Sequence, residues 1–106
     1  MNASSTYFVA VTGSATASVT IPLNPTRRYL VTGGLILIEG DDHARVYIAE
    51  VCNQVAPDLI TCGVRDIDGD AGLGLVEFLS SNAVSVTIKL KTTGGKHRGE
   101  GVVYEL

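Results

Sequence analysis

Between Ala83 and Lys91 apolar and polar residues alternate without interruption. Val84, Val86, Ile88 and Leu90 fall on one side, and Ser85, Thr87, Lys89 and Lys91 on the other. Side chains of an extended chain alternate between faces, so this stretch specifies a β-strand with one buried and one wet face. A weaker copy runs through Ala15–Ile21, where Ala17, Val19 and Ile21 oppose Thr16, Ser18 and Thr20. No segment sustains a helical period. The best helical candidate, Arg45–Gln54, carries Val46, Tyr47, Ile48 and Val51, whose β-branched content reads better as strand.

Turn chemistry divides the rest. Gly13-Ser14 reads as a two-residue hairpin turn between Tyr7–Thr12 and Ala15–Ile21. Pro22 and Pro25 end the second strand, because proline has no N–H for a ladder. Gly33-Gly34 splits Arg28–Thr32 from Leu35–Glu39. Gly40-Asp41-Asp42 precedes a long candidate, His43–Cys52, and Ala56-Pro57-Asp58 precedes Leu59–Val64. Leu73–Leu79, Ala83–Lys91 and Gly101–Leu106 complete the set, with Thr92-Thr93-Gly94-Gly95 as a hairpin tip. The expectation is one all-β domain over residues 1–106, with a short N-terminal arm at residues 1–6. Its architecture would be an antiparallel β-sandwich, jelly-roll-like, of about eight to nine strands. An immunoglobulin-like sandwich is the second topology.

Composition narrows the function. Apolar residues make up 45% of the chain, with no Trp, so the core must be built from Val, Ile, Leu and Ala. The net charge of −3 argues against nucleic-acid binding, which needs a basic face. No apolar run reaches the 18 residues of a membrane-spanning helix. The first residues carry no basic charge followed by an apolar block, so synthesis in the cytoplasm without secretion is the expectation. No nucleophile, acid–base or metal constellation of an enzyme is apparent, and no catalytic residue is assigned.

Asp66, Asp68, Asp70 and Glu77 stand at positions one, three, five and twelve of a loop. That spacing resembles an EF-hand calcium loop, although Ala71 replaces the usual glycine and the flanks read as strands. Calcium is thus the one cofactor candidate; the other reading is a charged inter-strand turn. Cys52 and Cys62 would pair directly across a hairpin centred on Pro57. A disulfide, half of a metal site and two buried thiols are all open, and a cytoplasmic setting favours the thiols. His43 and His97 fall in polar turn regions and read as solvated. Leu35, Ile36, Leu37 and Ile38 are apolar on both faces and suit a subunit interface. Lys96, His97 and Arg98 form a basic surface, and the arm with Tyr7 could add to a neighbouring sheet.

The Ser/Thr/Val/Gly-rich, strand-after-strand texture from Thr6 to Leu106 resembles the small β-sandwich proteins of bacteriophage virions, the capsid cement (decoration) proteins and fibre-tip modules. The resemblance includes no diagnostic motif. It implies a homotrimer or homodimer bound to a major capsid protein, located in the virion and stabilising the shell. The alternative it allows is a receptor- or glycan-binding fibre or tail-tip module, calcium-dependent if the aspartate loop holds metal.

Overall fold

The structure, a computed structural model, describes residues 2–39, 45–67, 74–79 and 81–106. Side chains are described for all of these except residues 2, 35–39, 45, 65–67 and 74–77. Six strands are present among them: β1 (Asn2–Pro22), β2 (Tyr29–Glu39), β3 (Arg45–Ala56), β4 (Leu59–Ile67), β5 (Gly74–Leu79) and β6 (Ala83–Glu105). All pairings are antiparallel.

β6 organises the sheet. One of its edges pairs with β1 along almost its whole length, from Ser85 opposite Pro22 to Glu105 opposite Asn2. Its other edge is shared end to end. β3 occupies Ala83–Thr92, and β2 occupies Lys96–Glu105. β4 then adds outside β3, and β5 outside β2. The result is one curled antiparallel sheet, a half-barrel, whose two halves share the β1–β6 ribbon.

The ribbon bends where the halves meet. Gly13 on β1 has φ 75° and Gly95 on β6 has φ 76°, a region glycine enters without a Cβ penalty. Between the pairs Thr12–Lys96 and Ser14–Thr93, β1 contributes one residue and β6 contributes two. This is a β-bulge, and bulges bend a strand and increase its twist. Thr92 Oγ1 donates to the Gly13 carbonyl at 2.9 Å and fastens the corner. The extra residue also switches which residues of β6 face inward. Val86, Ile88, Leu90 and Thr92 are buried before it, and His97 and Val103 after it.

Those two inward faces close on each other in a slab of 46 × 28 × 16 Å. Val86, Ile88 and Leu90 meet Tyr47, Ala49 and Val51 of β3 and Ile21 of β1. Tyr7, Val9, Val11, Tyr29, Val31, Leu79 and Val103 come from the other half. Loops close the ends. Asn24 accepts from the Thr26 N–H (3.0 Å) and hydroxyl (2.7 Å), and its own N–H donates to the Tyr29 hydroxyl (2.9 Å). Arg27 reaches Glu105 at 3.3 Å, tying this turn to the end of β6.

The expected eight to nine strands of a jelly roll thus reduce to six. Tyr7–Thr12 and Ala15–Ile21 are one strand, as are Arg28–Thr32 with Leu35–Glu39 and Ala83–Lys91 with Gly101–Leu106. Gly13, Gly33-Gly34 and Gly94-Gly95 read as chain reversals, but they sit inside continuous strands. The first and last sites are the two sides of one bulge, and the middle one a close approach described below. Asn2–Thr6 is no separate arm either. It pairs with the last residues of β6.

Candidate functional site

The two halves are joined at their centre by a pair of tyrosines. Tyr7 rises from β1 in one half and Tyr47 from β3 in the other, and their hydroxyl oxygens are 3.1 Å apart. Tyr7 also donates to the Thr32 carbonyl at 3.0 Å. A carbonyl can only accept, and Tyr7 has a single hydroxyl proton, so Tyr47 must be the donor to Tyr7. The chain runs Tyr47 to Tyr7 to Thr32. Burial pushes both hydroxyls above the ordinary tyrosine range, and for Tyr7 the contact with Tyr47 pushes the same way. Both rings are buried, at 6% and 2% exposed.

Glycines make the room. Tyr7, Gly101 and Gly33 stand side by side on β1, β6 and β2. A Cβ on Gly33 would strike the Tyr7 hydroxyl, and one on Gly99 would come within 2.9 Å of the Tyr47 ring. A Cβ on Gly101 would enter the Thr32 backbone. These glycines are structural, and the tyrosine pair serves as a bolt between the halves.

The exposed features lie outside it. β1 spends one edge on β6, and no strand among the described residues pairs with its other edge. From Asn2 to Pro22 it contains no charged residue. Natural sheets protect such edges with lysine, proline or short length. Here a 21-residue strand carries two bulges, at Ser4 and Gly13, and a proline at its last position alone, Pro22. Beside it opens a shallow cleft of about 980 Å³ lined by Thr6, Phe8, Val19, Thr32, Arg98 and Glu100. Phe8 is 62% exposed. The Arg98 guanidinium lies 5.1 Å from its ring centroid and 3.0 Å from Glu100. Cation–π attraction and the ion pair together hold the arginine on the outer face.

A second exposed apolar region is the β3–β4 hairpin. Residues 59–64 are exposed on both faces of β4, including Leu59, Ile60 and Val64. Cys52 and Cys62 are opposed in register with Cα atoms 4.0 Å apart and form a disulfide. The opposition agrees with the Pro57 reading, but the hairpin closes on Ala56 opposite Leu59, and a register shift between Gln54 and Ala56 brings the cysteines together. The free thiols that a cytoplasmic setting favours are not what is found.

The remaining expected site residues separate. Lys96 and Arg98 point outward, but His97 is wholly buried, so the solvated reading fails and only two of the three form surface. The bulge after Thr92 is what turns His97 inward. Tyr7 is part of the bolt and not of an exposed arm. The backbones of Leu35, Ile36 and Leu37 pair with Gly99, Arg98 and His97, and Ile38 sits at a register shift. Among the described residues, β5 takes the outer edge of β2 from Tyr29 to Gly34. Side chains of Leu35–Ile38 lie outside the described residues. The calcium set does too. Asp68 and Asp70 are not described, while Asp66 and Glu77 are placed by backbone alone, opposite Ile48 and Val31. His43 is likewise outside.

Sequence reasoning missed the tyrosine bolt and the Phe8–Arg98–Glu100 outer face. Both had a signal: Tyr7 and Phe8 are adjacent in a strand, so one must face in and the other out. The chain matches no protein-family model, and comparison with curated proteins finds no relative.

Proposed function

We propose that this chain is a non-catalytic structural protein that works by assembly, of the capsid cement or decoration type. It would form a homodimer or homotrimer and bridge subunits of a major capsid protein in a virion. The observation that carries the assembly reading is the edge of β1 that no described strand covers, long and uncharged. An unpaired row of N–H and C=O groups is a template for another strand, and β-edge addition joins chains without further machinery. The exposed Phe8 beside that edge adds apolar area to the contact. The virion setting rests on the Ser/Thr/Val/Gly-rich texture of the sequence.

A second reading, a receptor- or glycan-binding fibre module, is favoured by the cleft at Phe8. An exposed aromatic ring with an Arg–Glu pair beside it is the chemistry that holds a sugar ring and its hydroxyls.

Absolute mass by light scattering after size exclusion, with calcium and with a chelator, tests the proposal. A dimer or trimer of the 11.1 kDa chain, indifferent to chelator, supports assembly. In that case Ala10→Lys with Thr16→Lys, both exposed on β1, should return it to monomer with its fold intact. A monomer that binds glycan arrays through Phe8 and Arg98 would move the assignment to the second reading. A multimer that the lysine pair leaves intact would remove β1 as the contact.

A further inference from the structure

The hairpin disulfide stands beside a carboxylate. Glu50 lies two residues before Cys52 on β3, and so on the same face of the sheet. A Glu50 carboxylate oxygen and the two sulfurs all lie within 4.8 Å of one another. We propose that reduction of Cys52–Cys62 converts this cluster into a binding site for a borderline-soft divalent cation, zinc above all, with Glu50, Cys52 and Cys62 as ligands. The oxidised and metal-bound forms exclude each other.

The geometry suits the metal. Tetrahedral zinc with Zn–S of about 2.3 Å and Zn–O of about 2.1 Å holds its ligand atoms roughly 3.5–3.8 Å apart. Two cysteines directly opposed on neighbouring strands, Cα atoms 4.0 Å apart, reach that separation by turning side chains, with no backbone shift. β3 is ladder-paired on both sides, to β6 and to β4, so two of the three ligands sit on a fixed strand. Two thiolates and one carboxylate select zinc, cadmium or cobalt over calcium or magnesium. A fourth position stays open for water.

The chemistry balances. The S–S bond breaks and two S–H groups form: an external dithiol supplies both electrons and both protons, whereas a phosphine supplies two electrons and takes oxygen from one water molecule, whose two protons go to the thiols. The reductant leaves as its disulfide or phosphine oxide. Metal binding then releases the two thiol protons to buffer. Access is not a barrier, because Cys62 is exposed and Cys52 half-buried.

The test uses the full chain, oxidised and phosphine-reduced under argon, titrated with cadmium alone and watched in the ultraviolet. The reduced chain should take one equivalent per chain with thiolate-to-metal absorption, and the oxidised chain none. Cys62→Ser should abolish the signal. Glu50→Gln should keep it and weaken binding about tenfold or more, since losing even an indirect support of a ligand costs that much. If reduction loosens the hairpin, zinc should restore the melting temperature of the reduced wild type but not of reduced Cys62→Ser. No absorption and no restoration, one metal per two chains, or an unweakened Glu50→Gln would each overturn the proposal.

Discussion

The hydrogen-bond chain from Tyr47 through Tyr7 to Thr32 makes an asymmetric prediction. Tyr47→Phe removes one donor, while Tyr7 keeps its bond to the Thr32 carbonyl. The expected loss is about 1 kcal/mol, the net value of one ordinary hydrogen bond. Tyr7→Phe removes the middle of the chain. It leaves the Thr32 carbonyl without its tyrosine donor and the Tyr47 hydroxyl without its acceptor. A buried polar group stripped of its partner costs roughly 1–3 kcal/mol, so this variant should lose about 2–3 kcal/mol. The double variant should cost less than the sum, because both single changes delete the same bond. Urea unfolding followed by circular dichroism gives all three values. Equal losses, or a larger one for Tyr47→Phe, would refute the proton assignment.

The same pair sets the response to alkali. Both hydroxyls have pKa values raised by burial in the folded state. In the unfolded chain a tyrosine ionises near pH 10. Below that pH both states hold the proton and stability is unaffected. Above it the unfolded state alone ionises, so folding weakens as pH rises, by up to about 1.4 kcal/mol per unit for each such tyrosine. Stability measured through this window should fall more steeply for the wild type than for the Tyr7→Phe, Tyr47→Phe double variant. Tyrosinate absorbance from these two residues should appear only with unfolding. Parallel curves for the two proteins would sink the argument.

Gly101→Ala forces a methyl into the Thr32 backbone and should cost about 3 kcal/mol or more, while Gly63→Ala meets nothing within 4 Å and should stay within about 0.5 kcal/mol. Thermal melts of the two variants side by side check this. Asn82 holds φ 90° in the turn before β6, so Asn82→Ala should cost about 1–2 kcal/mol and Asn82→Gly little, again by melting. Replacing both cysteines by serine opens a crosslink spanning ten residues, worth about 3 kcal/mol at most in the chain-entropy account. Because β4 is exposed, hydrogen exchange should show that loss as fraying confined to the β3–β4 hairpin.

The alternation in Ala83–Lys91 was sufficient to place the central strand and its buried face. The Pro57 turn placed the β3–β4 hairpin, but the facing of Cys52 and Cys62 also needs the register shift between Gln54 and Ala56. Both strand and hairpin rest on local rules, the period of two and the turn chemistry of Pro57-Asp58. What escaped was non-local. A glycine with positive φ serves a hairpin turn and a bulge equally well, and the four residues around Gly13 or Gly95 are the same in either case. The difference lies in the partner strand. If Gly13 closed a hairpin, Val11 would face its own strand's continuation. Instead it faces His97, and that pairing is set by an extra residue on β6. His97 looked solvated for the same reason, since its neighbours are Lys96 and Arg98 and nothing local reports the switch of faces.

The exposed edge follows from that misread corner. Had Gly13 reversed the chain, the two halves of β1 would have paired with each other. As a bend, it leaves both halves in line, each spending one edge on β6, with no described strand on the other. The absence of charge from Asn2 to Pro22 then changes meaning. In a hairpin it would be ordinary composition for paired strands. On an open edge it is the loss of the usual protection against pairing with another chain. Thr20 bonds Thr87 at 2.9 Å on the outer face, so β1 is fastened to β6 even where it carries no buried side chain. A strand held firmly on one side and left bare on the other can recruit a partner without first unfolding. Placing lysine at Ala10 and Thr16 should therefore change association and leave the melting temperature of the monomer within a few degrees, whereas Tyr7→Phe should do the reverse.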